Sequence, residues 1–223
     1  MRLPPLHECI KHLSLILNVR GLNQQARRDT VHQIIAATSC NIACLQETKL
    51  FQICQYDASY LGGYRLRQFV YKLASGPSQM RGSIIILWNK CRLSCTDITI
   101  GEFHVSANVQ LKDSDANFRL TVVYGPSQRT DKLRFLDELK VLKPASGVRW
   151  LIMGDFNLIY RAIDKNIRNL SPCLMCHFRE ALDECELSKL RASLARLMPA
   201  LASSILRKSR YCSMKPFCKP GLK

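Results

Sequence analysis

The sequence lacks the features that would place the chain in a membrane or in the secretory pathway. No apolar run approaches the roughly 18–20 residues of a membrane-spanning helix, and the longest, Leu13–Leu17 and Ser83–Trp88, have the length of a strand. At the N-terminus, His7, Glu8 and Lys11 interrupt the apolar core that a signal peptide requires. We therefore expect an intracellular protein of the nucleus or cytoplasm that is neither secreted nor attached to a membrane.

Acidic residues are missing from the end of the sequence. Leu187 to Lys223 contain nine Lys or Arg and no Asp or Glu, while the whole chain of 223 residues has a formal net charge of +16. The chain is therefore divided near Leu187 into a moderately basic part and a strongly basic part. A basic balance favours polyanionic partners, with nucleic acid first and an acidic membrane surface second.

The eleven cysteines are odd in number and scattered. Without a secretion signal, we expect reduced thiols that are mostly small core residues. The string Cys173-Leu-Met-Cys176-His177 matches the c-type haem attachment motif, but haem attachment needs an export signal, so we expect no haem. A zinc site would need two more ligands, and Cys212 and Cys218 stand at a spacing that fits no common zinc finger.

The beginning of the chain predicts a strand, a helix and a second strand. The apolar run Leu13–Leu17 ends at Asn18, Ala26–Thr38 has the apolar spacing of a helix, and the buried strand Asn41–Leu45 leads to Glu47. Elements in this order form a βαβ unit with parallel strands. We therefore expect Asn18 and Glu47 to lie at the same edge of a sheet.

Further strands dominate the middle of the chain. Apolar runs predict them at Tyr64–Phe69, Gly82–Trp88, Leu93–Ile100, Phe103–Leu111 and Asn117–Tyr124. Residues 50–63 have a looser pattern. Two more helices are predicted, one over Thr130–Leu142 with Leu133, Leu136, Leu139 and Leu142 inward, and one over roughly Leu174–Leu190. Many strands with few helices predict an α/β fold in which two mixed β-sheets pack face to face and are flanked by helices, a four-layer α/β/β/α sandwich.

The stretch that follows Trp150–Met153 has the strongest functional signal. The run Trp150–Met153 is predicted to be a buried strand that stops at Gly154. If the backbone stays extended beyond it, the side chains of Asp155 and Asn157 point the same way. A carboxylate beside a carboxamide suits a hard cation or a phosphoryl oxygen. The simpler interpretation is an Asx-rich turn at the end of a strand.

Polar residues terminate three other apolar strands, and together the four motifs resemble a known family. The motifs are Asn18-Val-Arg-Gly-Leu-Asn23, Leu45-Gln-Glu-Thr-Lys49, Val123-Tyr-Gly-Pro126 and Gly154-Asp-Phe-Asn157. Their series resembles the endonuclease/exonuclease/phosphatase superfamily, and within it the apurinic-like endonuclease domain of plant LINE-type (non-LTR) retrotransposons. The resemblance implies a domain at residues 13–190, an N-terminal extension at 1–12 and a basic tail at 191–223.

The resemblance also implies a reaction and its residues. A divalent metal, Mg²⁺ with Mn²⁺ able to replace it, would be held by Glu47 with Asn18 nearby. Asp155 would orient or deprotonate the attacking water, while Asn157 and Tyr124 would hold the phosphate. The implied partner is DNA, nicked by hydrolysis of a phosphodiester.

Two departures from the family pattern alter this expectation. Arg20 stands where apurinic-site repair enzymes of the family have an aspartate. The family's final strands and their Ser-Asp-His element are missing, since no histidine follows His177 and no aspartate follows Asp183. We therefore expect a C-terminally truncated endonuclease-type domain with weak or no activity. The alternatives are a catalytically dead, basic relic that binds nucleic acid and, third, a phosphatase of the same superfamily.

The basic tail has two interpretations. Leucines spaced three and four apart from Leu187 predict a helix broken at Pro199, and Lys215–Lys223 is expected to be disordered. The tail could bind nucleic acid or direct the chain to the nucleus. It could also be unrelated sequence produced by a shifted reading frame, which we favour because acidic residues vanish where the resemblance fades.

Overall fold

The computed structural model describes residues 14–73, 83–114, 116–160, 171–189 and 217–218. Its helices are α1 (Gln25–Thr38), α2 (Gln55–Gly62), α3 (Arg129–Val141) and α4 (Pro172–Glu184). Its strands are β1 (Ser14–Asn18), β2 (Ile42–Gln46), β3 (Gln68–Lys72), β4 (Ile84–Trp88), β5 (Leu93–Ile100), β6 (His104–Leu111), β7 (Asn117–Tyr124), β8 (Trp150–Asp155), β9 (Ser188–Lys189) and β10 (Phe217–Cys218). No helix among these residues is long and apolar enough to cross a membrane.

The strands form two mixed sheets, as the sequence predicts. One has the order β1-β2-β4-β3 and the other the order β5-β6-β7-β8-β10-β9. Each contains one parallel pair, β1 with β2 and β7 with β8, and its other pairs are antiparallel. A parallel pair needs a long crossover connection, which α1 provides between β1 and β2 and α3 provides between β7 and β8. The predicted βαβ opening is therefore confirmed.

Three apolar cores separate the layers. The inner core lies between the sheets and joins Ile84, Ile86 and Trp88 of β4 to Leu120, Val122 and Tyr124 of β7. On the outer face of the six-stranded sheet, α3 and α4 contribute Phe135, Leu139 and Phe178. On the outer face of the four-stranded sheet, α1 and α2 contribute Val31, Ile35 and Leu61. This is the predicted four-layer α/β/β/α sandwich.

The apolar face of α3 differs from the predicted one. Leu136 and Leu139 are buried and Leu142 is partly buried, but Leu133 is 47% exposed. Phe135 is buried instead and makes an edge contact with Phe103 and with Phe156. A large aromatic ring one residue from Leu136 turns the buried stripe of the helix away from Leu133.

Three element boundaries also differ from the sequence prediction. The loose segment 50–63 contains α2, and the strand expected at Tyr64–Phe69 lies at Gln68–Lys72. The last helix ends at Glu184 rather than near Leu190. The reason is local: Glu186 has a left-handed φ of 56°, and the Leu187 N–H donates to the Leu182 carbonyl at 2.8 Å, which closes the helix before β9.

The end of the chain contributes two short strands to the six-stranded sheet. Phe217–Cys218, within the segment expected to be disordered, pairs antiparallel with both β8 and β9. Disorder is therefore the wrong description of these two residues. The expected extension at residues 1–12 and the rest of the basic tail, including its predicted helix after residue 189, lie outside the described residues.

The expectation that the cysteines are mostly core residues is only partly right. The eight cysteines whose side chains the structure describes are free, and Cys40, Cys44 and Cys185 are buried. Half of these eight cysteines are exposed, namely Cys54, Cys91, Cys173 and Cys176. Burial raises the pKa of the Cys185 thiol to about 11 and that of the half-buried Cys95 to about 12, so these two thiols stay protonated at neutral pH.

Candidate functional site

The polar strand ends meet at one edge of the sandwich. In the parallel register, Asn18 at the end of β1 is opposite Gln46 at the end of β2, and Tyr124 at the end of β7 is opposite Asp155 at the end of β8. Side-chain hydrogen bonds then connect the two sheets at this edge. The structure thus brings together all five residues that the sequence singled out, including Glu47 and Asn157.

Glu47 occupies the centre of this group. Its Oε1 accepts hydrogen bonds from Asn18 Nδ2 and from Tyr124 Oη, both at 2.8 Å. Asn18 comes from the four-stranded sheet and Tyr124 from the six-stranded sheet, so the Glu47 carboxylate is held from both sides. Because two directional bonds fix it, this carboxylate is well ordered for binding a ligand.

Left-handed backbone conformations direct these side chains. Glu47 has a φ of 56°, Arg20 a φ of 51° and Asn157 a φ of 49°. A left-handed conformation costs a non-glycine residue roughly 1–2 kcal/mol, so three of them at one edge require compensating contacts. For Glu47, one such contact is the bond from its backbone N–H to the Ser83 carbonyl at 3.1 Å. Such strain often marks functional sites.

Asp155 and Asn157 are brought together by a turn rather than by an extended backbone. Strand β8 ends at Asp155, and the Asn157 N–H donates to Asp155 Oδ1 at 3.0 Å. The Asn157 Nδ2 then donates to the Gly125 carbonyl at 2.7 Å, which ties this turn to the end of β7. The expected alternation of the two side chains along a strand is therefore wrong, although the proximity that it predicted is present.

Two glycines allow the ends of β7 and β8 to approach closely. Gly154 has a φ of 139°, and a Cβ placed on it would lie 1.9 Å from the Val123 carbonyl oxygen. A Cβ on Gly125 would lie 2.1 Å from the Phe156 carbonyl oxygen. The Gly125 N–H donates to the Asp155 carbonyl at 2.6 Å. Glycine is thus required at both positions for Tyr124 and Asp155 to stand side by side.

Gln46 is a site residue that sequence reasoning missed. Its side chain is fully buried and crosses between the sheets, where Nε2 donates to the Val123 carbonyl at 2.6 Å and Oε1 accepts from the Asp155 N–H at 3.1 Å. A polar residue at the last position of a buried strand was the available signal. Gln46 fixes the distance between the strand that leads to Glu47 and the strand that ends at Asp155.

The environment of Tyr124 keeps its hydroxyl protonated. Burial raises the pKa of Tyr124 above its usual value, and the negative charges of Glu47 and Asp155 raise it further. The hydroxyl therefore serves as a hydrogen-bond donor to Glu47 throughout the neutral pH range.

We expect Tyr124 to be one of the last tyrosines to ionise. In an alkaline titration followed by tyrosinate absorbance, Tyr124→Phe should remove a late step, well above the usual pKa of about 10. A folded-state pKa above the unfolded value adds stability that is present below about pH 10 and is lost as the pH rises through the folded pKa. Tyr64→Phe is the control, since Tyr64 is 80% exposed. If Tyr124→Phe instead removed a titration step near the usual tyrosine pKa of about 10, the prediction would be contradicted.

The residues at the edge fit a hard divalent cation. Carboxylate and amide oxygens are its preferred protein ligands, and Mg²⁺ usually takes only one or two carboxylates besides water and phosphate. Both donors to Glu47 are neutral, so neither cancels the negative charge of a carboxylate at this position. Asn18 turns its Nδ2 towards Glu47, an orientation that positions the carboxylate. No group of three or more His, Cys, Asp or Glu suited to a metal occurs within the described residues.

Two face-to-face sheets flanked by helices, with carboxylates and amides gathered at one edge, define the class of four-layer α/β/β/α sandwich proteins. The sequence matches the Endonuclease/Exonuclease/phosphatase family over residues 15–183, well over half of the chain. The chain therefore belongs to this family, whose members include nucleases and phosphatases and generally use divalent metal ions. A comparison with curated proteins gave no match.

Solved structures agree with this fold at low sequence identity. The human Nocturnin catalytic domain with bound sulfate is 14% identical, with a TM-score of 0.56 over 91% of this chain and 79% of that one. The endonuclease domain of TRAS1, a telomere-specific non-LTR retrotransposon, is 13% identical and has a TM-score of 0.56. The match covers 79% of this chain and 72% of the TRAS1 domain. The Bacteroides thetaiotaomicron mannosyl-6-phosphatase Bt3783 is 13% identical and has a TM-score of 0.53. The match covers 79% of this chain and 72% of the phosphatase.

Proposed function

We propose that this chain is a Mg²⁺-dependent endonuclease-type domain that hydrolyses DNA phosphodiesters, related to the endonucleases of plant LINE-type retrotransposons. One observation carries the proposal: Glu47 is bonded to Asn18 and Tyr124 at the edge where Asp155 and Asn157 also lie. The four-motif series of the sequence supports the retrotransposon type. One solved structure of similar fold is the endonuclease domain of TRAS1, a telomere-specific non-LTR retrotransposon.

Each site residue has a role in the proposed reaction. A divalent cation at Glu47 would neutralise charge on the phosphate and on the leaving oxygen. Asn18 and Tyr124 hold the Glu47 carboxylate in place through their hydrogen bonds. Tyr124 would also contact the phosphate, the role that the resemblance implies for it. Asp155 orients the attacking water or accepts a proton from it. The Asn157 amide donates a hydrogen bond to a phosphate oxygen.

We expect this reaction to be slow. The resemblance places a Ser-Asp-His near the end of the domain, and no Asp after Asp183 or His after His177 provides it. Loss of one general acid–base group is worth roughly 10²–10⁴ in rate. In the proposed division, the domain occupies residues 13–190, and the basic segment 191–223 is a tail from which Phe217–Cys218 adds a short strand to the domain's sheet.

Nicking of supercoiled plasmid tests the proposal. We expect slow nicking with Mg²⁺ or Mn²⁺, none with EDTA, and loss of the remaining activity in Glu47→Ala and in Asp155→Ala. Asp113→Ala is the matched control, because this carboxylate is exposed and pairs at the surface with Arg92. Circular dichroism establishes that each variant is folded.

The other outcomes separate the competing functions. Phosphate release from mannose 6-phosphate without nicking would support a phosphatase, the activity in the name of the Bacteroides relative. DNA binding without nicking, in every metal tested, would support the relic. Nicking that survives both Glu47→Ala and Asp155→Ala would overturn the assignment of the site.

A further inference from the structure

The exposed face of α4 contains two cysteines and a histidine that the proposed reaction does not use. Cys173 lies in the first turn of the helix directly after Pro172, and both Cys173 and Cys176 are exposed. His177 lies one turn after Cys173, and Cys173 Sγ is 3.6 Å from His177 Nδ1. The opposite face of α4 is anchored in the outer core by Phe178. The three side chains therefore form a cluster in which both thiols are exposed and His177 is half-buried.

The exposed thiols have different partners. Cys54 Sγ donates to Asp57 Oδ2 at 3.2 Å, and Cys176 Sγ donates to Glu180 Oε1 at 3.5 Å. The Glu180 carboxylate raises the pKa of Cys176. A carboxylate retains the proton on sulfur, whereas an imidazole nitrogen can accept it as the sulfur attacks. Of Cys54, Cys173 and Cys176, only Cys173 faces an imidazole.

Cys173 also lies at the start of α4. The first N–H groups of a helix have no partner within the helix and attract negative charge. Ser171, at the N-cap, makes no capping bond with its side chain, so its hydroxyl does not compete for these N–H groups. Thiols at helix N-termini, beside histidine and in Cys-x-x-Cys pairs are the reactive ones in proteins.

We propose that Cys173 and Cys176 form a thiol–disulfide exchange pair that is oxidised by a low-molecular-weight disulfide such as glutathione disulfide. His177 takes the Cys173 proton, and the Cys173 sulfur attacks one sulfur of the disulfide, which releases one thiolate and leaves a mixed disulfide. His177 returns this proton to the released thiolate. The Cys176 sulfur then attacks the Cys173 sulfur, its own proton passes to the departing sulfur, and the second thiol leaves as the Cys173–Cys176 disulfide closes. Two protein thiols are oxidised and one external disulfide is reduced to two thiols.

The spacing of the pair is compatible with this product after a small local change. Helix positions three apart have Cβ atoms about 5–6 Å apart, while a disulfide needs about 3.5–4.5 Å. The first turn of α4 must therefore tighten by about 1–2 Å. Cys173 is in that first turn, and the packed residues Phe178, Ala181 and Leu182 lie further along the helix. Oxidation should thus alter only the beginning of α4.

Mass spectrometry of the full chain after incubation with glutathione disulfide tests the proposal. Trypsin releases Asn169–Arg179, which contains both cysteines of the pair and no other. We expect this peptide from the wild type to lose two hydrogens and to resist alkylation. Cys176→Ser should accumulate glutathione on Cys173, and Cys173→Ser should leave Cys176 unmodified over the same time. His177→Asn should slow modification of Cys173 by roughly tenfold or more.

Cys54 and Cys91 are internal controls, because both are exposed thiols outside the pair. Modification of either as fast as Cys173 would overturn the proposal. The proposal would also be overturned if Cys176→Ser acquired no glutathione on Cys173. The same holds if Cys173 were modified at equal rates in the wild type and in His177→Asn. The measurement does not depend on nuclease activity, so its outcome is independent of the proposed function.

Discussion

Gly154→Ala should lower the stability of the fold by about 3–5 kcal/mol, or prevent folding altogether. Two effects add. The φ of 139° strains any residue with a Cβ, and the added atom would lie 1.9 Å from the Val123 carbonyl oxygen within the parallel β7–β8 pair. The total stability of a domain is about 5–15 kcal/mol, so this is a large fraction of it. Urea unfolding followed by circular dichroism measures the change.

Gly147→Ala is the matched control for this prediction. Gly147 also has a positive φ, 86°, but nothing lies within 4 Å of a Cβ placed there. Its substitution should therefore cost only about 1–2 kcal/mol, from backbone strain without a steric clash. Equal destabilisation by the two variants would mean that β7 and β8 do not approach as closely as the structure places them.

Gln46→Leu should lower the stability by about 2–4 kcal/mol, even though leucine is similar in size and more apolar. The fully buried amide makes two bonds between the sheets, and leucine would leave the Val123 carbonyl and the Asp155 N–H without them. A buried polar group that loses its partner costs about 1–3 kcal/mol. Because Gln46 adjoins Glu47 and bonds to the backbone of Asp155, the variant should also lose any nicking activity.

Gln110→Leu is the comparison for Gln46→Leu. Gln110 lies in β6 with its side chain exposed, so its replacement should change the stability by no more than about 0.5 kcal/mol. Denaturant midpoints of the two variants, measured with the wild type, decide the matter. If Gln46→Leu is as stable as Gln110→Leu, the amide does not hold the sheets together.

The strand ends at the site were predictable from the sequence, but the way in which they meet was not. Buried strands that stop at polar residues place Asn18, Glu47, Tyr124 and Asp155 at one edge, since parallel strands joined by helices end on the same side. The role of Gln46 was not visible, because the amide bonds to residues 77 and 109 positions away in the sequence. Only the packing of one sheet on the other brings those partners to it.

By itself, the sequence determined the fold class, the two mixed sheets and the residues at the edge, because apolar periodicity and strand order are local properties of the chain. The tertiary structure alone decided three things. It decided that Phe135, not Leu133, fills the outer core, and that a left-handed turn rather than a pleat joins Asp155 to Asn157. It also decided that Glu47 is held from both sheets. Each depends on contacts between segments distant in the chain, which no local pattern records.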